Sequence, residues 1–359
     1  MAVTQLELNA RYAGAVSAEV SSLFYAEHVP AALASLGLFR GHGGGLGRLI
    51  VFADDFEQAF KSLFPADALI LVDDPSVSSF EAAGAYLAPG RDADGSDGID
   101  AGRAARPRDI WFVNSIGGRG LRVPDLRALA SAAHGHGALL AVDNTVASAF
   151  GGDPLSLGCD LCLEALDRVA CGRLSAKAVA VSATRRFLHH LGAEAGAAEG
   201  AGADLLGRTS LASEGGTLSQ GDIDAVWGGL SSLGYRMQAH FDHARALSEY
   251  LSCFDGMGRV SYPGLAGHPD HETAARTLIH GYGPAVDFQL PEGVAAGEFV
   301  SRCRLNGRGE PAGGPTTRLS ARDGAQSRAI RLFAGTDDPL AIADDLDQAL
   351  RWFCNPPEP

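Results

Sequence analysis

A reaction that needs a side-chain amine on this chain has two residues to draw on, because Lys61 and Lys177 are the only lysines among its 29 basic residues. Asp143 closes the apolar run from Leu139 to Val142 and is followed by Asn144 and Thr145, which puts an acid and a hydroxyl at the end of a predicted strand. On its own, that acid reads as one bonding local backbone. Cys159 and Cys162, with Cys171 beyond them, have part of a zinc-site spacing. Leu161 and Leu163 place them on a buried strand, however, and no fourth ligand follows at finger spacing, so no metal is expected. The glycines from Gly41 to Gly47 precede a strand rather than follow one and carry no lysine, which makes them a hinge rather than a phosphate loop. His134-Gly135-His136 lies at a helix end, where it suits the helix dipole, and no catalysis is assigned to it.

Short apolar runs alternating with amphipathic stretches must position these groups. Leu49 to Phe52, Ala68 to Val72, Ile110 to Val113, Leu139 to Val142, Leu161 to Leu163 and Ala178 to Val181 predict strands. Phe56 to Phe64, Ser79 to Tyr86 and Val123 to Gly135 predict helices between them. This is the pattern of an α/β fold, with a mainly parallel mixed sheet covered on both faces. The first forty residues read as helical, with Val20, Leu23, Val29, Leu33 and Leu36 on one face. Gly90 to Arg108 reads as a loop and Gly192 to Ala203 as a flexible connection. Beyond it come a long helix from Ile223 to Glu249 with a break near Gly234, short strands at Ala285 to Leu290 and Ile330 to Phe333, and a last helix from Pro339 to Phe353. The expected division is an N-terminal arm over 1–44, a large domain over 45–210 and a smaller C-terminal α+β domain over 220–359.

With 46% hydrophobic residues the chain can bury a full core. Its 43 acidic residues leave a net charge of −14, which argues against nucleic acid as a partner. No apolar run approaches the length of a membrane span, and the N-terminus lacks the flanks of a signal peptide, so neither membrane insertion nor secretion is expected. The six scattered cysteines form no disulfide framework, which points to a reducing cytoplasm.

A colinear series of segments carries a resemblance. Pro124-Asp125-Leu126 leads through His134-Gly135-His136-Gly137 to the strand ending Val142-Asp143-Asn144-Thr145. Gly158-Cys159-Asp160-Leu161 follows, then Leu230 to Met237, Tyr262-Pro263-Gly264-Leu265 with His268-Pro269, Gly281-Tyr282-Gly283, and Ile330-Arg331-Leu332-Phe333 through Asp338. Together they resemble the cystathionine γ-synthase and γ-lyase family of pyridoxal-phosphate enzymes. The resemblance implies fold type I, with Asp143 against the pyridinium nitrogen, Thr145 beside it and Arg331 gripping a substrate carboxylate. A salt bridge at the domain interface is an equal alternative for Arg331.

Several positions depart from that family. Its Schiff-base lysine, in SxTK, falls on Arg168, and the hydroxyls before it on Ala165 and Asp167. Arginine stays protonated and does not condense with an aldehyde. The phosphate-cradling turn falls on Asp54, Asp55 and Phe56, the stacking tyrosine on Pro75 to Ser79, and the ETPSNP loop on Val113 to Gly118. Near a phosphate, each acid at about 4 Å costs on the order of 4 kcal/mol at an effective dielectric of 20. Asp54, Asp55 and Asp167 are therefore expected to spoil the phosphate site.

The resulting expectation is a degenerate member, with no pyridoxal phosphate or at most a non-covalent one. It would serve as a non-catalytic subunit or a small-carboxylate-binding protein. A cofactor-independent enzyme in the old cleft and a still active carbon–sulfur lyase or transferase remain alternatives. Lys177 reads as a lysine at a strand end or subunit contact. A homodimer or higher oligomer is expected, or a heteromer with an active relative, because the apolar face around Val29, Leu33 and Leu36 has no predicted partner in the chain itself.

Overall fold

The computed structural model describes residues 2–36, 47–52, 56–85, 109–171, 176–194, 216–304 and 313–354. Seven strands form its main sheet: β1 (Val20–Tyr25), β2 (Leu49–Phe52), β3 (Leu69–Leu71), β4 (Ile110–Asn114), β5 (Leu139–Asp143), β6 (Leu161–Ala165) and β7 (Ala178–Ala183). Their order is β1-β7-β6-β5-β4-β2-β3, with β7 antiparallel to both of its neighbours and every other pair parallel. The central strands are buried on both faces, which is why they read as continuous apolar runs rather than as alternating ones. Helices α1 (Gln5–Ala15), α2 (Val29–Ser35), α3 (Glu57–Leu63), α4 (Val77–Ala85), α5 (Leu126–Gly135), α6 (Ser148–Gly151) and α7 (Arg185–Glu194) accompany this sheet.

The N-terminal segment differs from its predicted form. Val20 and Leu23 lie on β1, which pairs with β7 from Val20 opposite Ala183 to Tyr25 opposite Ala178. Val29, Leu33 and Leu36 are buried in the same core as β2, β4 and β6. Their apolar face is thus covered by the chain's own sheet. The sequence hid this because the partner strand lies more than 150 residues away and no local period encodes such a pairing.

The second unit is a four-stranded antiparallel sheet of order β10-β11-β9-β8, made of β8 (Val260–Ser261), β9 (Ala285–Gln289), β10 (Arg318–Ala321) and β11 (Ala329–Phe333). With it go α8 (Gln220–Ser252), α9 (His271–Thr277), α10 (Ala296–Arg302) and α11 (Pro339–Cys354). The long helix α8 runs unbroken for 33 residues, about 50 Å. Its start (Ile223, Val226) packs with Leu8 and Tyr12 of α1, and its end (Ala244, Leu247, Leu251) packs in the core of the small sheet. The break expected at Gly234 is absent: that glycine sits against the Phe150 ring with ordinary clearance, so the helix passes through. Among the described residues, no helix is long and apolar enough to cross a membrane.

Candidate functional site

The carboxyl ends of β4, β5 and β6 open into a cavity of about 350 Å³, lined on its far side by residues of β10 and β11. Ligands of α/β sheets bind at this edge, and the volume falls within the roughly 300–1,000 Å³ of small-molecule sites. Asp143 ends β5 beside Asn114, its register neighbour on β4, and both line the cavity. Asp143 is only 2% exposed. Its Oδ1 accepts the backbone N–H and the hydroxyl of Thr145 at 2.8 and 2.5 Å, and the Thr145 hydroxyl oxygen in turn accepts the Ala165 N–H at 2.9 Å. The local backbone bond expected for this acid is therefore present, and the same bonds lock its orientation. Asn114 is buried, and its Oδ1 has no hydrogen-bond partner among the described residues.

Beyond β6 the chain makes one wide helical turn, Leu166–Ala170, in which the Cys171 N–H reaches the Leu166 carbonyl. Arg236 on α8 holds this turn by donating to the Val169 and Ala170 carbonyls at 2.9 and 2.8 Å. Gly313 passes so close that a Cβ there would lie 2.5 Å from Val169 Cα, and its φ of +87° also demands glycine. Arg236 lies within the segment Leu230 to Met237, yet nothing in its spacing told of this role.

The turn presents Asp167 and Arg168 to the cavity. Lys177 joins them because β7 runs back along β6, with Ala165 opposite Val179. Its Nζ lies 3.1 Å from Asp167 Oδ2, and Arg168 Nε lies 3.8 Å from the same oxygen. Arg318 of β10 also lines the cavity; burial, and then the charge of Arg168, hold its pKa below the usual arginine value. Arg331, 3% exposed, points its fork at Asp287 of β9 (2.7 and 2.8 Å) and donates to the Gly118 carbonyl of the large unit at 2.6 Å. The salt bridge thus lies within the small sheet, the Gly118 bond reaches the large unit, and Arg331 also lines the cavity. Asp54 and Asp55 lie outside the described residues.

Other residues singled out by type are structural. His134 bonds Asp160 at 2.8 Å, and Asp160 accepts the Leu140 N–H at 2.9 Å, which ties α5 to the start of β5. Cys159, Cys162 and Cys171 are buried, and burial pushes the Cys171 thiol up to about 12. Among the described residues, no group of three His, Cys, Asp or Glu side chains is arranged to hold a metal ion.

The profile of the Cys/Met metabolism PLP-dependent enzyme family matches residues 93–351. A cystathionine gamma-lyase from Bos taurus is 32% identical over 276 residues, which cover 72% of this chain and 64% of the bovine protein. A putative cystathionine gamma-lyase from Streptomyces coelicolor is 30% identical over 81% of this chain and 72% of its own length. Among solved structures, a methionine gamma lyase from Micromonospora echinospora superposes with a TM-score of 0.76 at 25% identity, covering 96% of this chain and 84% of that one.

These findings correct the expectation that the chain takes no cofactor, since the matched family is described by its dependence on pyridoxal phosphate. Nor is Asp167, expected to repel a phosphate, a bare acid. In the fold, Asp167 is paired with Lys177 and faced by Arg168, and Arg318 adds a further cation to the cavity. By its profile, its relatives and its fold, the chain belongs to the Cys/Met metabolism PLP-dependent enzyme family.

Proposed function

We propose that the cavity binds pyridoxal phosphate together with a small amino-acid-like carboxylate, and that the protein has lost the family's carbon–sulfur chemistry at position 168. The observation that carries this reading is the set of polar groups gathered in one cavity: the fixed acid Asp143, the amide oxygen of Asn114, which has no partner among the described residues, and the guanidinium groups of Arg168 and Arg318. These suit a ring nitrogen, a hydroxyl and an anionic group respectively, so the residues fit the cofactor. When bound, pyridoxal phosphate supplies an electron-withdrawing ring at the α-carbon of an amino acid.

Within this reading, Asp143 holds a proton on the ring nitrogen, with Thr145 keeping the carboxylate in place. Arg168 and Arg318 meet the anionic groups, because the fork of Arg331 is already engaged by Asp287. Arg168 cannot take the place of a lysine toward an aldehyde. The reading makes the protein a binding member of its family, acting in a reducing cytoplasm. Titrating the full chain with pyridoxal phosphate, followed by fluorescence and absorption, tests it. Saturable binding is expected, and Asp143→Ala should weaken it about tenfold or more, in line with the loss of a charge-assisted hydrogen bond. No binding, or an unchanged affinity in Asp143→Ala, would overturn the reading.

As part of the same proposal the chain assembles as a homodimer. The buried face of α2 no longer argues for this, but Leu6, Tyr235 and Leu340 are large apolar side chains left exposed. Light scattering at micromolar concentration should give twice the chain mass. A monomer mass removes this part.

A further inference from the structure

We propose that Lys177 supplies the amine that holds pyridoxal phosphate covalently, reaching the cavity from the residue just before β7 rather than from position 168. This rests on the cavity being the cofactor site. The chain has two lysines, and only one of them is in place. Lys61 sits on α3, half exposed and paired with Glu57, and does not line the cavity. Lys177 lines it together with Asp143 and Thr145.

The fold explains how an amine from elsewhere in the chain can serve. Antiparallel pairing ends with Ala165 opposite Val179, and the turn Leu166–Ala170 that follows β6 carries Asp167 to within 3.1 Å of the amine of Lys177, the residue just before β7. The Lys177 amine and the Arg168 guanidinium then converge on one atom, Asp167 Oδ2. The amine therefore occupies the neighbourhood of the side chain at 168, although Arg168 sits in the turn after β6 and Lys177 just before β7. With its side chain 46% exposed, Lys177 remains open to a ligand entering the cavity.

Asp167 also makes the step chemically complete. Its carboxylate accepts a proton from the Lys177 ammonium, and the freed Nζ attacks the aldehyde carbon. A carbon–nitrogen double bond replaces the carbonyl bond, the oxygen leaves as water, and the Asp167 proton can pass to the new nitrogen. No oxidant or reductant is involved. The proposal concerns attachment and does not require turnover.

The test is to incubate the full-length protein with pyridoxal phosphate, reduce with borohydride, digest, and locate the adduct by mass spectrometry. One adduct, on the peptide containing Lys177, is expected. It should be lost in Lys177→Arg and in Lys177→Ala; the arginine variant keeps the charge beside Asp167, and circular dichroism confirms that both fold. An adduct on Lys61 or the N-terminus that persists in both variants would overturn the inference. Pyridoxal phosphate that binds saturably but leaves no adduct on Lys177 would overturn it while leaving the proposed function standing. Absence of any binding would remove both.

Discussion

Replacing Asp287 with alanine should destabilise the protein by about 3–5 kcal/mol, the range for breaking a buried ion pair on one side. Arg331 has almost no exposed surface, so without Asp287 its charge would stay buried with its bidentate partner gone. The same carboxylate accepts the Gly120 N–H at 2.9 Å, and the Ser261 hydroxyl donates to the Gly120 carbonyl at 2.8 Å. Asp287 therefore fastens the loop after β4 to the small sheet. Urea unfolding at neutral pH gives the loss directly. Combining Asp287→Ala with Arg331→Met should recover much of it, because the uncompensated charge goes too. Additive losses in the double variant would show that the two side chains do not act as a pair.

Stability should also fall as pH rises from about 4.5 to 8, and Glu164→Gln should remove that fall. Burial pushes the Glu164 carboxyl up to about 8, and the hydrogen bond from the Tyr12 hydroxyl, at 2.5 Å, offsets only part of this. In the unfolded chain the same group loses its proton near 4.5. Between these values the folded state holds more protons than the unfolded one, so each step up in pH favours unfolding. At 1.36 kcal/mol per pKa unit, the full loss is on the order of 5 kcal/mol. Glutamine retains an oxygen to accept from Tyr12 and does not titrate. Above pH 8 the variant should therefore be the more stable of the two relative to its own value at pH 5. Parallel pH profiles for parent and variant in chemical denaturation would refute this assignment.

Neither effect could be read along the chain. Asp287 and Arg331 lie on different strands, and Glu164 meets Tyr12 across 152 positions. A charged residue in a sequence shows what it can bind but not whether the fold has already bound it. The same holds for Asp167, which looks like an intruding acid until β7 brings Lys177 against it. Asn114 stood in the segment Val113 to Gly118, which departs from the resembled family, and departure alone does not show that a side chain still faces the cavity.

What the sequence determined by itself was local or colinear. Apolar runs at 49–52, 110–113, 139–142 and 178–181 specify buried strands wherever they are placed, because each must leave water on both faces. The ordered motifs carried the family, and with it Asp143 at the end of β5. Only the tertiary structure decided that residues 20–25 complete the sheet as a strand, that Arg331 closes on Asp287, and that the amine of Lys177 stands against Asp167. Strand pairing and ion pairing join residues far apart in sequence. Which partners meet depends on the whole chain being folded, and no periodicity or composition records it.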